Sequence, residues 1–219
     1  MHSILVYSDS LSWGIIPPTR KRLSEKYRWP RVMETKLALS GLRCRVIEDC
    51  LNGRRTVWDD PFKAGRNGVV GLAQTIESHS PLSLVIIMLG TNDFQSMHDF
   101  TAWHSAQGMA QIIKTIRNAD IEPGMPVPEI VVMAPPRILK PMGMMADKFK
   151  GADLKSRGLD KAFAVIAAQF KCHFFNVADV TSASKMDGIH LDSDQHLTLA
   201  DSMASYVNDL LCNKAVINR

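Results

Sequence analysis

No stretch of this sequence stays apolar for the roughly 18 residues that a membrane-spanning helix requires; the longest such run is the short one around Leu84 to Leu89. No membrane span is expected. The N-terminus passes from Met1, His2 and Ser3 straight into an apolar strand pattern, without the basic region, long apolar segment or small-residue cleavage site of a secretory leader. The four cysteines, Cys44, Cys50, Cys172 and Cys212, contain no CxxC pair, and two of them share one strand-like segment. They read as buried thiols in a reducing compartment, not as zinc ligands or a disulfide framework. A cytoplasmic location is the expectation, with a mature secreted form as the alternative.

Other absences narrow the function. Neither a GxGxxG turn nor a GxxxxGK[ST] loop occurs, which argues against a nucleotide- or flavin-binding module. Lys and Arg (26) exceed Asp and Glu (22), for a formal charge of +4, but they form no basic arm interleaved with aromatics, so no nucleic-acid partner is expected. The densest basic stretch, Arg20, Lys21 and Arg22 followed by Lys26 and Arg28, reads as a solvated loop. His79, His98, His104, His173 and His196 lack metal-ligand spacing with suitable partners; no metal and no cofactor are expected.

What is present is an alternating α/β pattern. Hydrophobic residues make up 46% and charged residues 22% of 219 residues, enough apolar material for one large domain over residues 1–219. Strands are predicted at Ser3 to Tyr7, Cys44 to Glu48, Leu84 to Leu89, Ile130 to Met133 and Cys172 to Phe175. Helices are predicted at Trp29 to Leu39, Val69 to Ser78, Ala106 to Ala119, Asp153 to Phe170 and Asp194 to Leu211. The stretch from Arg137 to about Lys150 reads as a loop or lid. The run from Leu84 to Leu89, apolar throughout, suits a central parallel strand covered on both faces. Such alternation implies right-handed crossovers and a three-layer α/β/α sandwich around a doubly wound, five-stranded parallel sheet. Ligands in these sheets bind beyond the strands' carboxyl ends.

Polar segments fall at that edge: Ser8, Asp9, Ser10 and Leu11 after the first strand, Asn52 and Gly53 after the second, and Gly90, Thr91, Asn92 and Asp93 after the third. Asp187, Gly188, Ile189 and His190 precede the last helix. Each is common alone; all four, in this order and at strand ends, resemble the blocks of the SGNH/GDSL family of serine hydrolases. The likeness extends to Ser12-Trp13-Gly14, to Arg54 and to Asp59-Asp60-Pro61, and is similar to the branch of bacterial arylesterases and acyltransferases. It implies a flavodoxin-like fold and an esterase acting on small carboxylic esters, aryl or short-chain acyl such as acetyl, through an acyl-enzyme, with acyl transfer to other alcohols as a further outcome.

The resemblance implies Ser10 as nucleophile, His190 as general base and Asp187 as the group that orients the imidazole. A serine hydroxyl needs such activation, and imidazole titrates near neutrality. It also implies an oxyanion hole from the N–H groups of Ser10 and Gly53 and the Asn92 amide. Asp9 and Asp93 are expected to shape their turns by accepting backbone hydrogen bonds. Ser8 departs from the family's glycine, and its Cβ is expected to alter the turn. Trp13, Ile15 and Phe94, with Trp58 and Trp103, are candidates for an apolar substrate pocket or for core packing. Carbohydrate deacetylation and lysophospholipid or thioester cleavage are alternatives within the family, and a non-catalytic ligand-binding module is the alternative outside it. The partner is a small ester, and relatives of this kind make a homo-oligomer an expectation.

Overall fold

A computed structural model describes residues 1–217, with side chains through Cys212. Among the described residues, five strands form one parallel sheet: β1 (His2–Ser8), β2 (Cys44–Cys50), β3 (Leu84–Met88), β4 (Glu129–Ala134) and β5 (His173–Asn176). Their spatial order is β2-β1-β3-β4-β5. The chain first winds outward from β1 to β2, then returns to β3 and continues the other way, so the winding reverses between β1 and β3. A crevice opens at such a reversal, beyond the carboxyl ends of the two strands.

The sheet is covered on both faces, and the strand alternation decides which residue goes where. Leu5, Tyr7, Val85, Ile87, Ile130 and Val132 face one layer, built from α3 (Leu72–His79), α4 (Ala102–Arg117) and α6 (Leu159–Gln169). Their neighbours Ile4, Val6, Leu84, Ile86, Val131 and Met133 face the other, built from α2 (Trp29–Leu39) and α7 (Ser193–Ile217). Every residue of β3 is buried, as its uninterrupted apolar run requires. No described helix is long and apolar enough to cross a membrane.

Several element bounds differ from the sequence pattern for identifiable reasons. A short helix, α1 (Ser10–Trp13), follows β1 directly where only a polar turn is predicted, because the Asp9 carboxylate caps the Leu11 N–H. α4 begins at Ala102, four residues early. Thr101 and His104 cap it, but its first turn holds the exposed Trp103, so the apolar periodicity becomes visible only from Ala106. The long helix predicted from Asp153 to Phe170 is two, α5 (Ala152–Lys155) and α6, divided around Arg157 and Gly158, where a poor helix former interrupts the pattern. The cysteines are free thiols, three half-buried and Cys212 exposed, and thus less buried than expected.

Residues 137–150 are irregular apart from one 3-10 turn at Gly143–Met145. They are nonetheless anchored, for Met145 and Phe149 are buried in the core. The segment also straps the last loop: Leu139 N–H donates to Gly188 O (2.9 Å) and Met142 N–H to Asp187 O (3.0 Å).

Candidate active site

Ser10 stands at the first position of α1, at the end of β1, and Asn92 stands just past β3, so the two flank the reversal of the winding. Residues 184–192 reach the same crevice from the start of α7. Their tight turn depends on Gly188, whose φ is +79° and whose Cβ position lies 2.4 Å from the Lys140 carbonyl oxygen. A side chain there would both strain the backbone and push the strap away. Within the turn, Asp187 Oδ1 accepts from the N–H groups of Ile189 (2.9 Å) and His190 (3.0 Å).

The other Asp187 oxygen lies 2.6 Å from His190 Nδ1, and His190 Nε2 lies 3.2 Å from Ser10 Oγ. A carboxylate only accepts, so the proton of the first bond sits on Nδ1 and leaves the Nε2 lone pair facing the serine hydroxyl. Burial by itself would raise the Asp187 carboxyl; its bonds to His190 and to the two backbone N–H groups outweigh that and hold it below the usual carboxylate range. It therefore stays ionised, able to stabilise a positive charge on the ring. The set can move a proton from Ser10 to His190 and back.

Gly53 and Asn92 line the same cleft as Ser10 and His190. Gly53 has φ +86°, a left-handed turn that favours glycine, and its N–H meets no acceptor among the described residues. As the first helical residue, Ser10 likewise carries an N–H that no helical carbonyl can take. Asn92 is held more firmly: its amide donates to Asp9 Oδ2 (2.9 Å) and to Arg54 O (3.2 Å), while its own oxygen accepts from Gln95 Nε2 (2.8 Å). An oxyanion would have to share the second, longer of those donor bonds.

Beneath the cleft, Asp9 accepts from Leu11 and Asn92, and Asp93 accepts from the Thr56 N–H (3.0 Å), the Thr56 hydroxyl (2.8 Å) and the Ser105 hydroxyl (2.6 Å). Both carboxyls are wholly buried, and burial pushes Asp9 up to about 7 and Asp93 up to about 6. Their side chains tie turns together, as expected from the sequence. Ser8 is the last residue of β1. Positive φ among non-glycine residues occurs only at Arg20 and Lys171 in the described chain, so the backbone at Ser8 does not demand glycine. Its hydroxyl donates to Met88 O (2.8 Å) and accepts from Ser12 Oγ (2.7 Å), which accepts from Trp29 Nε1 (3.0 Å).

Two of the three pocket candidates need correction. Ile15 does line the cleft, beside His190. Phe94, however, is fully buried in the core, because the 3-10 turn after β3 directs it inward. Trp13 lies outside the cleft lining, its ring covered by the Arg22 guanidinium 4.9 Å away. Trp58 packs against Phe100, the rings tilted by 30°, and Trp103 is exposed on α4. The residues that line the cleft in their place are Met142, Met144 and Met145 with Pro17 and Pro18 on one side, and Arg20, Asp60, Lys63 and Lys148 on the other. Methionine and proline carried no periodic signal, and the cations come from three separate loops. A larger cavity, about 360 Å³, lies beyond the ends of β4 and β5 and includes neither Ser10 nor His190.

The model of the GDSL-like Lipase/Acylhydrolase family matches residues 9–200. Among solved structures, the chain is similar to Est24, a carbohydrate acetylesterase from Sinorhizobium meliloti, at 33% identity and a TM-score of 0.89, over 96% of this chain and 100% of that one. It is also similar to the inhibitor-bound aryl esterase of M. smegmatis, at 30% identity and a TM-score of 0.89, again over 96% and 100%. No curated protein matches the chain.

Proposed function

The chain belongs to the GDSL-like lipase/acylhydrolase family, and from that membership we propose that it is a serine esterase in which Ser10, His190 and Asp187 carry the hydrolysis of small carboxylic esters. The observation that carries the assignment is the unbroken chain of contacts from Asp187 Oδ2 through the imidazole to Ser10 Oγ, at 2.6 and 3.2 Å. His190 Nε2 takes the hydroxyl proton as Ser10 Oγ bonds to the ester carbonyl carbon. The carbonyl π pair moves to oxygen, and the N–H groups of Ser10 and Gly53 receive that charge together with the Asn92 amide. Collapse of the intermediate breaks the bond to the alcohol, which leaves with the proton from His190. Water, deprotonated by the same nitrogen, then releases the acid and restores Ser10.

The cleft directly over Ser10 is narrow, about 30 Å³, though open to solvent, and on that narrowness short acyl groups are the favoured substrates. Turnover of p-nitrophenyl acetate should therefore exceed that of a long-chain p-nitrophenyl ester, and an acetylated sugar completes the panel. A serine-reactive phosphonate should label the protein, and Ser10→Ala should abolish both labelling and turnover while the protein remains folded. Labelling that persists in the variant would sink the assignment.

A further inference from the structure

The cleft is charged unevenly. Arg20, Lys63 and Lys148 all line it beside Ser10, each from a different segment of the chain. Arg20 sits at the tip of a turn closed by the bridge between Ile15 and Arg22, and its φ of +61° is a left-handed conformation that non-glycine residues rarely adopt. Lys63 follows Asp60 in a turn, its N–H donating to Asp60 O at 3.2 Å. Lys148 belongs to the strap; its carbonyl accepts from Ser96 N–H at 2.8 Å, and its neighbour Phe149 is locked in the core.

None of the three makes an ion pair among the described residues. The carboxylate that lines the same part of the cleft, Asp60, is paired elsewhere: one oxygen lies 2.9 Å from buried Arg55 and the other accepts from Phe62 N–H at 2.9 Å. Asp187, on the opposite side, is held by His190. Arg20 and Lys63 are exposed and Lys148 is half-buried, so the mutual repulsion of the three like charges is felt mainly at Lys148. The half-buried Lys148 registers this, since burial and then the charges of Arg20, Arg55 and Lys63 lower its affinity for a proton, with Asp60 opposing. The adjoining part of the cleft sets Ile15, Pro17 and the methionines of the strap beside His190, Asp187 and Arg20. The site thus sets an apolar patch next to three cations, with Asp60, already paired with Arg55, as the carboxylate among them.

We propose that this cleft selects esters that carry an anionic substituent, a carboxylate in the first instance, and that Arg20, Lys63 and Lys148 are the residues that recognise it. The inference rests on the esterase reading above and adds its substrate class. A bound carboxylate supplies the counter-charge that the three side chains lack, while the uncharged part of the ester lies against the methionine and proline wall.

Two matched pairs of substrates test the idea and locate the anion. Monomethyl succinate against methyl butyrate places it on the acyl side; 4-acetoxybenzoate against methyl 4-acetoxybenzoate places it on the alcohol side. At low ionic strength, the ratio of kcat/KM for anionic over neutral ester should exceed one in at least one pair. That ratio should fall about three- to tenfold in each of Arg20→Gln, Lys63→Met and Lys148→Met, further in the triple variant, and also in the wild type at about 0.5 M NaCl. A wild type that turns over phenyl acetate but prefers the neutral member of both pairs, or a ratio unmoved by the triple variant and by salt, overturns the proposal alone. Loss of all turnover, phenyl acetate included, overturns the esterase reading and the proposal with it.

Discussion

Two sets of buried carboxyls lie within this site, and their environments pull them in opposite directions. Asp9 and Asp93, under the floor of the cleft, are raised to about 7 and about 6 by burial. Asp187, in the C-terminal turn, is held below the ordinary range although burial opposes it there too. The number of hydrogen bonds does not separate them, since Asp93 accepts three and Asp187 accepts three. Depth of burial does first, since Asp9 and Asp93 are wholly buried while Asp187 lies at the edge of the cleft, and the kind of donor adds to it. Asp93 is met by hydroxyls and an amide, Asp9 by two amides, whereas one of the donors to Asp187 is an imidazole that can itself become a cation. A carboxyl surrounded by neutral donors serves to tie chain segments together. One paired with an ionisable ring, at the edge of a cleft, is fitted to hold a charge that appears during reaction.

The largest consequence is expected at Asp187. Replacing it with Asn keeps the shape and one backbone acceptor but removes the negative charge and the tautomer that presents Nε2 to Ser10. By analogy with other serine triads, kcat for p-nitrophenyl acetate should fall by about 10³- to 10⁴-fold, with the denaturation midpoint nearly unchanged. A fall below about tenfold would mean that Asp187 is one more turn-tying carboxyl and would erase the contrast.

Asp9 should answer in the opposite currency. In Asp9→Asn the new amide faces the Asn92 amide donor to donor, so stability should drop by about 1–3 kcal/mol. The pH dependence carries the sharper sign. Between the ordinary carboxyl value of 3.8 and about 7, the folded protein holds a proton on Asp9 that the unfolded chain releases, so stability falls as pH rises across that window and the penalty is complete above it. Asp187, being lowered, contributes stability that is present above 3.8 and lost as pH falls below it. Urea midpoints of wild type and Asp9→Asn from pH 4 to 8 should therefore converge as pH rises. A difference independent of pH would show that Asp9 titrates alike in the folded and unfolded chain.

Much of this contrast was legible before the fold was known, and the remainder has a physical reason for being hidden. Ser10, Gly53 and Asn92 follow strand-like runs whose ends placed the polar turns at one edge of the sheet, whereas Asp187 and His190, in the last loop, were legible only through the resemblance of all four blocks to the family. The parallel sheet was legible from the same runs, β3 above all. By contrast, Arg20, Lys63 and Lys148 lie in three loops without periodicity, and only the folded chain brings them together. For Phe94 an aromatic side chain suits pocket and core alike, and the 3-10 turn after β3 decides for the core. The division between α5 and α6 was hidden by apolar spacing that continues across it.

The smallest effect is expected where the sequence departs from the family's glycine. Ser8 sits beside Asp9 on the floor side of the comparison, and its hydroxyl continues the same logic of neutral ties: Trp29 Nε1 to Ser12, Ser12 to Ser8, Ser8 to the Met88 carbonyl. All of these groups are buried, so breaking the relay strands the Ser12 hydroxyl without its acceptor. Ser8→Ala should cost about 1 kcal/mol for the lost bonds, and Ser8→Gly about 0.5–1 kcal/mol more for the added backbone freedom within a strand. Neither variant touches Asp187, His190 or the Ser10 hydroxyl, so kcat/KM should stay within about twofold of wild type, while thermal denaturation reads the stability difference between the two variants. A tenfold loss of kcat/KM in Ser8→Ala, with stability little changed, would show that the relay positions Ser10 through α1, and the floor of the cleft would then belong to catalysis as much as the C-terminal turn does.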